Sequence, residues 1–194
     1  MTTNKQTYWH FLREDRKLGY GDGRLVIAGD TLSVPGPLEM CNYGLHASKN
    51  LLDALKYAPG SILCKVELGS DVITQGDKSV SSSRKTLWMT DISDLLHKFA
   101  CDAAEQCLKD RESEGIEVDI RSYAAIEAKR GWLRGSVTDS ELQSARSAAE
   151  SARSAAWSAR SARSAADSAA WSAAESAQNT HLTKLVENLI NETS

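Results

Sequence analysis

The sequence lacks the features that identify several large classes of protein. No apolar run approaches 18 residues, whereas a membrane-spanning helix needs about 20. The N-terminus, MTTNKQTYWH, has no apolar signal region, and no two of the four cysteines have CxxC spacing. We therefore expect a cytoplasmic protein with reduced thiols and no membrane partner.

The sequence also lacks a large excess of positive or negative charge and the common catalytic motifs. A net charge of −3 and a pI near 5.8 argue against a general nucleic-acid binder. There is no GxGxxG, P-loop, GxSxG or HExxH motif. Cys41, Cys64, His10 and His46 are the conceivable zinc ligands, but none of the pairs has ligand spacing. We expect no metal, no cofactor and no nucleic-acid partner.

The most regular stretch that the sequence does contain is residues 138–178. From Ser144 to Ser176, serines recur there every three or four residues, each followed by alanine, which places them on one face of an α-helix. Thr138 and Glu141 form a capping-box pattern at its start. The helix would span about 60 Å as one rod, or it could form two legs of a hairpin. Because an Ala/Ser face buries little area, we expect close packing on another helix and homo-oligomerisation, with Trp157 and Trp171 as anchors.

The remaining patterns divide the chain into a β-rich part and a helical part. Helical periodicity predicts helices at about 91–112, 119–134, 138–178 and 180–191. Before residue 90, short apolar pieces separated by Gly and Pro predict strands, the clearest being SILCKVEL (61–68), with one short helix capped by Ser48. The prediction is an α+β fold, with a β-rich module at 1–90 and an α-helical bundle at 91–194 that contains the long Ala/Ser-rich helix.

The helical half contains FACDAAEQCL, then YAAIEAKRGWLRGSVTDSEL, then the Ala-rich repeat. In these segments it resembles a family known only as immunity proteins, found beside bacterial toxin systems. The most specific parts are AIEA (125–128) and WLRG (132–135), followed by the capping Thr138. The resemblance implies a toxin or host defence protein as partner.

The front half contains GLHAS (44–48), DALKYA (53–58), VELG (66–69) and RKTLWM (84–89). Through these it resembles an uncharacterised domain frequent in phages and prophages. Over residues 8–69 it is also similar to the nucleotide-binding signature of poly(ADP-ribose) polymerase-type ADP-ribosyltransferases, with Tyr8-Trp9-His10 at the aromatic-Trp-His strand and GLHA at the Gly-Ile-Tyr segment. The resemblance implies that a histidine and backbone groups hold the ribose and nicotinamide of an NAD-derived ligand.

This sequence departs from the transferase pattern at two functional positions. His46 stands where the family has a stacking tyrosine, and the family's late-strand glutamate has no counterpart, because Glu67 lies on the wrong strand. Without that carboxylate, transferase chemistry loses the group that stabilises the developing oxocarbenium charge. We therefore predict no catalytic residue.

Five residues are candidates for ligand binding. His10 and His46 lie beside apolar neighbours, so a hydrogen-bonded core histidine is the alternative interpretation of each. Lys78, Arg84 and Lys85, with SVSSSR (79–84) between them, form a small basic and hydroxyl cluster that suits a phosphate, or else a solvated strand edge. We expect a degenerate pocket for an NAD-derived or cyclic nucleotide in the front module.

These observations favour a non-enzymatic binding protein in phage–bacterium conflict, which sequesters a nucleotide-type immune signal or blocks a defence or toxin protein. Two alternatives stay open: an ADP-ribosyltransferase acting on a host target, and a structural assembly protein organised by the Ser-Ala helix. A glutamate near His10 and His46 would favour the enzyme, and an open basic pocket without one would favour the sequestering protein. A flat exposed Trp/Ala face would favour the assembly protein.

Overall fold

The computed structural model describes residues 6–160 and 167–192, with side chains described outside 153–173, and the predicted α+β fold is confirmed. Strands and one short helix form the first half of the described chain, and longer helices form the second. The elements are β1 (Thr7–Leu12), β2 (Thr31–Ser33), β3 (Leu45–Ala47), α1 (Leu51–Lys56), β4 (Ile62–Leu68), β5 (Ile73–Gln75), β6 (Lys78–Ser81), β7 (Ser83–Asp91), α2 (Ser93–Ser113), α3 (Ile120–Leu133), α4 (Asp139–Arg160) and α5 (Asp167–Glu192).

The chain divides into two compact units, Met1–Ser93 with Leu182–Ser194, and Asp94–His181. The sequence predicted a boundary at 90/91 and placed the whole C-terminal helix with the helical part. The division differs mainly at the end of α5. Leu182 and Val186 on this segment have no exposed surface, so the apolar face of the last helix is buried within the first unit, far from its neighbours in sequence.

The first unit is built on an antiparallel sheet with strand order β1-β4-β7-β2, beside a second sheet with order β3-β6-β5. The predicted strand SILCKVEL supplies β4, an interior strand of the first sheet. Its alternate residues Ile62, Cys64, Val66 and Leu68 share one face and are all buried. With Tyr8 and Leu12 of β1 they form the core cluster, which also includes Val26 and Ala47.

A β-bulge in β7 decides which of its side chains face this core. Lys65 pairs with Trp88 and Val66 with Thr86, so Leu87 is an extra residue on β7. Arg84 and Thr86 consequently lie on the same face as Val66 and are buried, while Leu87 is exposed. The bulge therefore lets β7 direct a charged side chain into the core face.

Ser48 does not cap α1 as the sequence suggested. The N-cap is Asn50, and it makes no side-chain cap hydrogen bond. The backbone of Ser48 instead exchanges two hydrogen bonds with Trp9, at 2.8 and 2.9 Å. This bridge fastens the residues after β3 to β1, so the pairing of Ser48 with a strand outweighs its local preference for a helix start.

Contacts in the second unit show that α4 and α5 are not successive parts of one straight rod. Trp132 donates a 2.6 Å hydrogen bond to Asp139 at the start of α4 and lies edge-on to His97 of α2. Near the other end of the Ala/Ser-rich region, His181 of α5 contacts Phe99, which also belongs to α2. One unbroken helix would hold Asp139 and His181 about 60 Å apart, yet both lie beside the first turns of α2. The two-leg alternative is therefore the correct one.

The predicted break between helices at residue 179 is wrong. α5 runs without interruption from Asp167 to Glu192. The hydroxyl of Thr180 donates a 3.0 Å hydrogen bond to the carbonyl oxygen of Ser176, one helical turn earlier. Because the threonine bonds within the helix instead of capping a new one, the polar Gln-Asn-Thr segment does not end the helix.

The Ala/Ser face packs within the chain in its first part. Ala152 and Leu142 of α4 are buried, as is Gly131 of α3. A Cβ on Gly131 would lie 2.6 Å from Cγ2 of Val137, so the glycine permits the tight turn from α3 to α4. The side chains of Trp157 and Trp171 lie outside the described residues, and homo-oligomerisation stays a prediction.

Candidate functional site

His10 lies near the middle of β1, opposite Cys64 of β4, on the core face of the first sheet. Its side chain keeps partial exposure, yet desolvation, followed by the charge of Arg84, lowers its pKa well below the usual value. Among the described residues the imidazole has no hydrogen-bond partner. His10 is therefore neutral at neutral pH, and its ring keeps some contact with solvent.

Arg84 lies beside His10 on the same face and is only 2% exposed. Its Nη1 donates a 2.6 Å hydrogen bond to the carbonyl oxygen of His46, and its Nη2 is buried without a partner in the described structure. Burial lowers the pKa of Arg84 to about 10, which leaves it charged at neutral pH. Asp22, the carboxylate that acts on it from a distance, makes its own 2.7 Å bonds to Arg24.

A buried guanidinium without a contacting carboxylate is unfavourable, because it loses its hydration and gains only one strong acceptor. Arg84 is therefore the feature of the first unit that most needs an explanation. Its one bond to the His46 carbonyl connects β7 of the first sheet to β3 of the second.

His46 uses both ring nitrogens inside its own loop. The backbone N–H of Cys41 donates to Nε2 at 3.0 Å, so Nε2 is unprotonated, and Nδ1 donates to the carbonyl oxygen of Gly44 at 3.1 Å. Desolvation lowers the pKa of His46, which favours this neutral tautomer. The bonds hold Cys41 in its left-handed conformation, with φ of 66°. Of the two interpretations made from the sequence, the hydrogen-bonded structural histidine describes His46.

Lys78 lies near His46 at the start of β6 but has partners of its own. Its Nζ donates to Sγ of Cys41 at 3.3 Å and lies 3.9 Å from the centroid of the Tyr57 ring. The hydrogen bond to Cys41 is the main cause that raises the pKa of Lys78. The Tyr57 hydroxyl in turn donates to Asp77. Lys78 therefore contributes positive potential to this side of the unit while its ammonium group is already bonded.

Lys85 and the serines do not join the other candidates. Lys85 follows Arg84 on β7 and therefore points to the opposite face, where it is exposed. Ser81 donates a 2.5 Å hydrogen bond to Asp71, and the backbone of Ser82 bonds to the same carboxylate at 3.2 Å. The structure thus brings together His10, His46 and Arg84, places Lys78 beside them, and separates Lys85 and the serine hydroxyls from them.

The two candidate nucleophilic or acidic groups on β4, Cys64 and Glu67, differ in their surroundings. Burial raises the pKa of the Cys64 thiol to about 11, which keeps it protonated and unreactive at neutral pH. Glu67 is three residues beyond Cys64 on a regular part of β4, so it faces away from His10. Within the described side chains, no group of three or more His, Cys, Asp or Glu residues is placed to hold a metal ion.

Sequence reasoning missed a groove of about 350 Å³ in the helical unit. It lies between α2, α3 and α4, and its lining includes Ala104, Ile126, Ala149, Arg111 and Arg146. The sequence predicted a small-molecule site only in the front module. The available signal was the run of alanines at helix-packing positions, because a side chain that ends at Cβ leaves space between helices.

A family model described as a domain of unknown function (DUF7666) matches residues 26–98. The match runs from before β2 into α2, and so includes His46, Lys78, Arg84 and Lys85 but not His10. No curated protein and no solved structure matches the chain. None of the helices in the described ranges is both long enough and apolar enough to cross a membrane.

Proposed function

We propose that this chain is a non-enzymatic binding protein whose first unit holds an anionic, nucleotide-type ligand against Arg84. The observation that carries the proposal is the buried Nη2 of Arg84, which has no acceptor in the described structure while the guanidinium remains charged. A phosphate oxygen would supply that acceptor and balance the charge. His10 is partly exposed, close enough to Arg84 to feel its charge, and would be the second contact of such a ligand.

The other candidate residues take different parts in this proposal. His46 acts as a positioning residue, because its carbonyl oxygen orients Arg84 and its ring holds the loop from Cys41 to Gly44. Lys78 adds long-range attraction for an anion from its place beside Cys41. Lys85 has no contact role, since it lies on the other face of the sheet.

The biological setting of the proposal comes from the resemblances of the two halves. A phage-type front domain joined to an immunity-protein-like helical half suits a protein of phage–bacterium conflict. In that setting the front unit sequesters a nucleotide-type immune signal, such as an NAD-derived or cyclic nucleotide. The alternative within the same setting is that the helical half blocks a defence or toxin protein.

A calorimetric and thermal-shift screen tests the proposal. The purified full chain is titrated with ADP-ribose, NAD and cyclic nucleotides, where a ligand at a hundred times its dissociation constant stabilises the fold by about 2.7 kcal/mol. Arg84→Gln should weaken binding about tenfold or more, because it removes a charge-assisted hydrogen bond. Lys85→Gln is the matched control, since it removes the same charge from the neighbouring residue on the opposite face. Equal affinities in the two variants would contradict the proposal.

Labelled NAD separates sequestration from transfer. Incubation of the protein with labelled NAD and bacterial lysate should leave no label on protein above background. The transferase alternative predicts labelling, and labelling that is lost in Glu67→Ala would favour that alternative over sequestration.

A further inference from the structure

We infer that the groove of the helical unit binds a small molecule with an apolar body and one carboxylate group. Its volume of about 350 Å³ lies within the range of roughly 300–1,000 Å³ that is typical of small-molecule sites. This site belongs to a different unit from the one that contains Arg84, and it does not depend on the proposed nucleotide site.

The apolar part of the groove lining comes from three helices. Ala104 and Leu108 come from α2, Ala125 and Ile126 from α3, and Ala149 from α4. Because alanine has no atoms beyond Cβ, these helices enclose space that larger side chains would fill. When an apolar ligand covers this concave surface, the apolar surface of the groove and that of the ligand are both removed from water, which favours binding.

Two arginines give the groove its binding preference. Arg111 lines it from the last turn of α2, and its Nε is buried without a hydrogen-bond partner in the described structure. Arg146 lines it from α4. Neither takes part in an ion pair between described residues, although other arginines of the same unit do: Arg121 pairs with Asp119, and Arg130 with three carboxylates.

The acidic residues at the groove select the charge of the ligand. Asp119 is already bonded through both oxygens to Arg121, at 2.9 and 2.6 Å, so it does not neutralise Arg111. Glu117 also lines the groove, and it repels a dianionic phosphate about twice as strongly as it repels a single carboxylate. A carboxylate can accept two parallel hydrogen bonds from a guanidinium, and it carries one negative charge where the phosphate carries two. An apolar monocarboxylate is therefore the ligand class that this groove fits.

Octanoate and its neutral analogue octanamide test the inference by calorimetry on the full chain. Octanoate should bind at millimolar concentration, and octanamide about tenfold more weakly, because it lacks the charge that pairs with arginine. Arg111→Gln should weaken octanoate binding about tenfold and leave octanamide binding unchanged. Arg134→Gln, at the C-cap of α3, removes the same charge outside the groove and should change neither.

Two further variants locate the bound molecule. Ala149→Leu should fill the groove and abolish binding of both compounds, with circular dichroism as the check on folding. Arg84→Gln should leave octanoate binding intact. The inference is overturned if octanoate does not bind, if octanamide binds equally well, if Arg111→Gln behaves like Arg134→Gln, or if octanoate binding is lost in Arg84→Gln.

Discussion

Nη1 of Arg84 donates a 2.6 Å hydrogen bond to the carbonyl oxygen of His46, a residue 38 positions earlier in the chain. The bond joins β7 to β3, and therefore one sheet of the first unit to the other. It satisfies one end of the guanidinium and leaves Nη2 buried and unbonded. This combination predicts that Arg84 contributes more to ligand binding than to the stability of the free protein.

Arg84→Met should leave the ligand-free protein about as stable as the parent, or make it more stable. The substitution removes a buried charge whose desolvation is unfavourable, and loses one charge-assisted hydrogen bond of about 1.5–3 kcal/mol in exchange. Stabilisation by ADP-ribose should disappear at the same time. Denaturant unfolding with and without ADP-ribose measures both effects. A loss well above 3 kcal/mol without ligand would identify Arg84 as a structural clamp instead.

The first unit should lose stability as the pH falls from about 7.5 to about 5.5. Desolvation lowers the pKa values of His10 and His46 in the fold, whereas an unfolded histidine titrates near pH 6.5. Below that pH the unfolded chain binds protons that the folded chain does not, so the free energy of unfolding decreases by up to about 1.4 kcal/mol per pH unit for each histidine.

Urea unfolding across this range gives the slope, and His10→Gln should make it shallower. Carboxyl groups with lowered pKa values, such as Asp71, lose their contribution only near and below their ordinary pKa of about 4. They therefore do not affect the comparison. An unchanged slope in His10→Gln would show that folding does not lower the pKa of His10.

Thr138→Ala should destabilise the helical unit by about 0.5–2 kcal/mol. The backbone N–H and the hydroxyl of Thr138 both bond to Glu141, at 2.8 and 2.7 Å, and the Glu141 N–H reaches the hydroxyl at 3.3 Å. Thermal unfolding followed by circular dichroism measures the loss. Thr138→Ser is the control that retains the hydroxyl, and a loss of equal size in both variants would exclude the capping box as the cause.

Ala152→Leu should overpack the buried face of α4 and cost about 1–3 kcal/mol. Ser147→Leu, an exposed position on the same helix, should change stability little. If both variants melt at the same temperature as the parent, a leucine fits at position 152 and the prediction that this face of α4 is tightly packed is wrong. The stability of the helical unit is again the measured quantity.

Homo-oligomerisation through the Ala/Ser-rich helix is tested by light scattering at micromolar concentration. Ala155 and Ala159, where leucine should overpack a helix contact between copies, lie outside the described side chains. Association of the parent that is reduced in Ala155→Leu and Ala159→Leu would support the prediction. A monomeric parent whose Ala155→Leu and Ala159→Leu variants melt unchanged would contradict it.

The sequence by itself determined the elements whose signals are local. Alternation, helical spacing and cap chemistry within a few residues predict the strand SILCKVEL, helices at about 91–112 and 119–134, and the capping box at Thr138. The structure has the two helices at 93–113 and 120–133, one or two residues from the predicted bounds. It also identified His10, His46 and Arg84 as candidates. These patterns act over one or two turns or along one strand, so they can be read without knowing what packs against them.

Only the tertiary structure decided what depends on distant partners. The bulge at Leu87 decides that Arg84 and not Lys85 faces the core, although strand alternation alone already places these two neighbours on opposite faces of the sheet. Trp132 connects Asp139 to His97 of α2, and His181 contacts Phe99 two residues further along α2, so a single rod is excluded. The burial of Leu182 places the end of α5 with the first unit. The groove beside Arg111 likewise exists only where three helices meet. Contacts between residues far apart in sequence decide which face of β7 meets the core, how α5 returns to α2, and where the helices enclose a groove. No local periodicity in the sequence encodes these features.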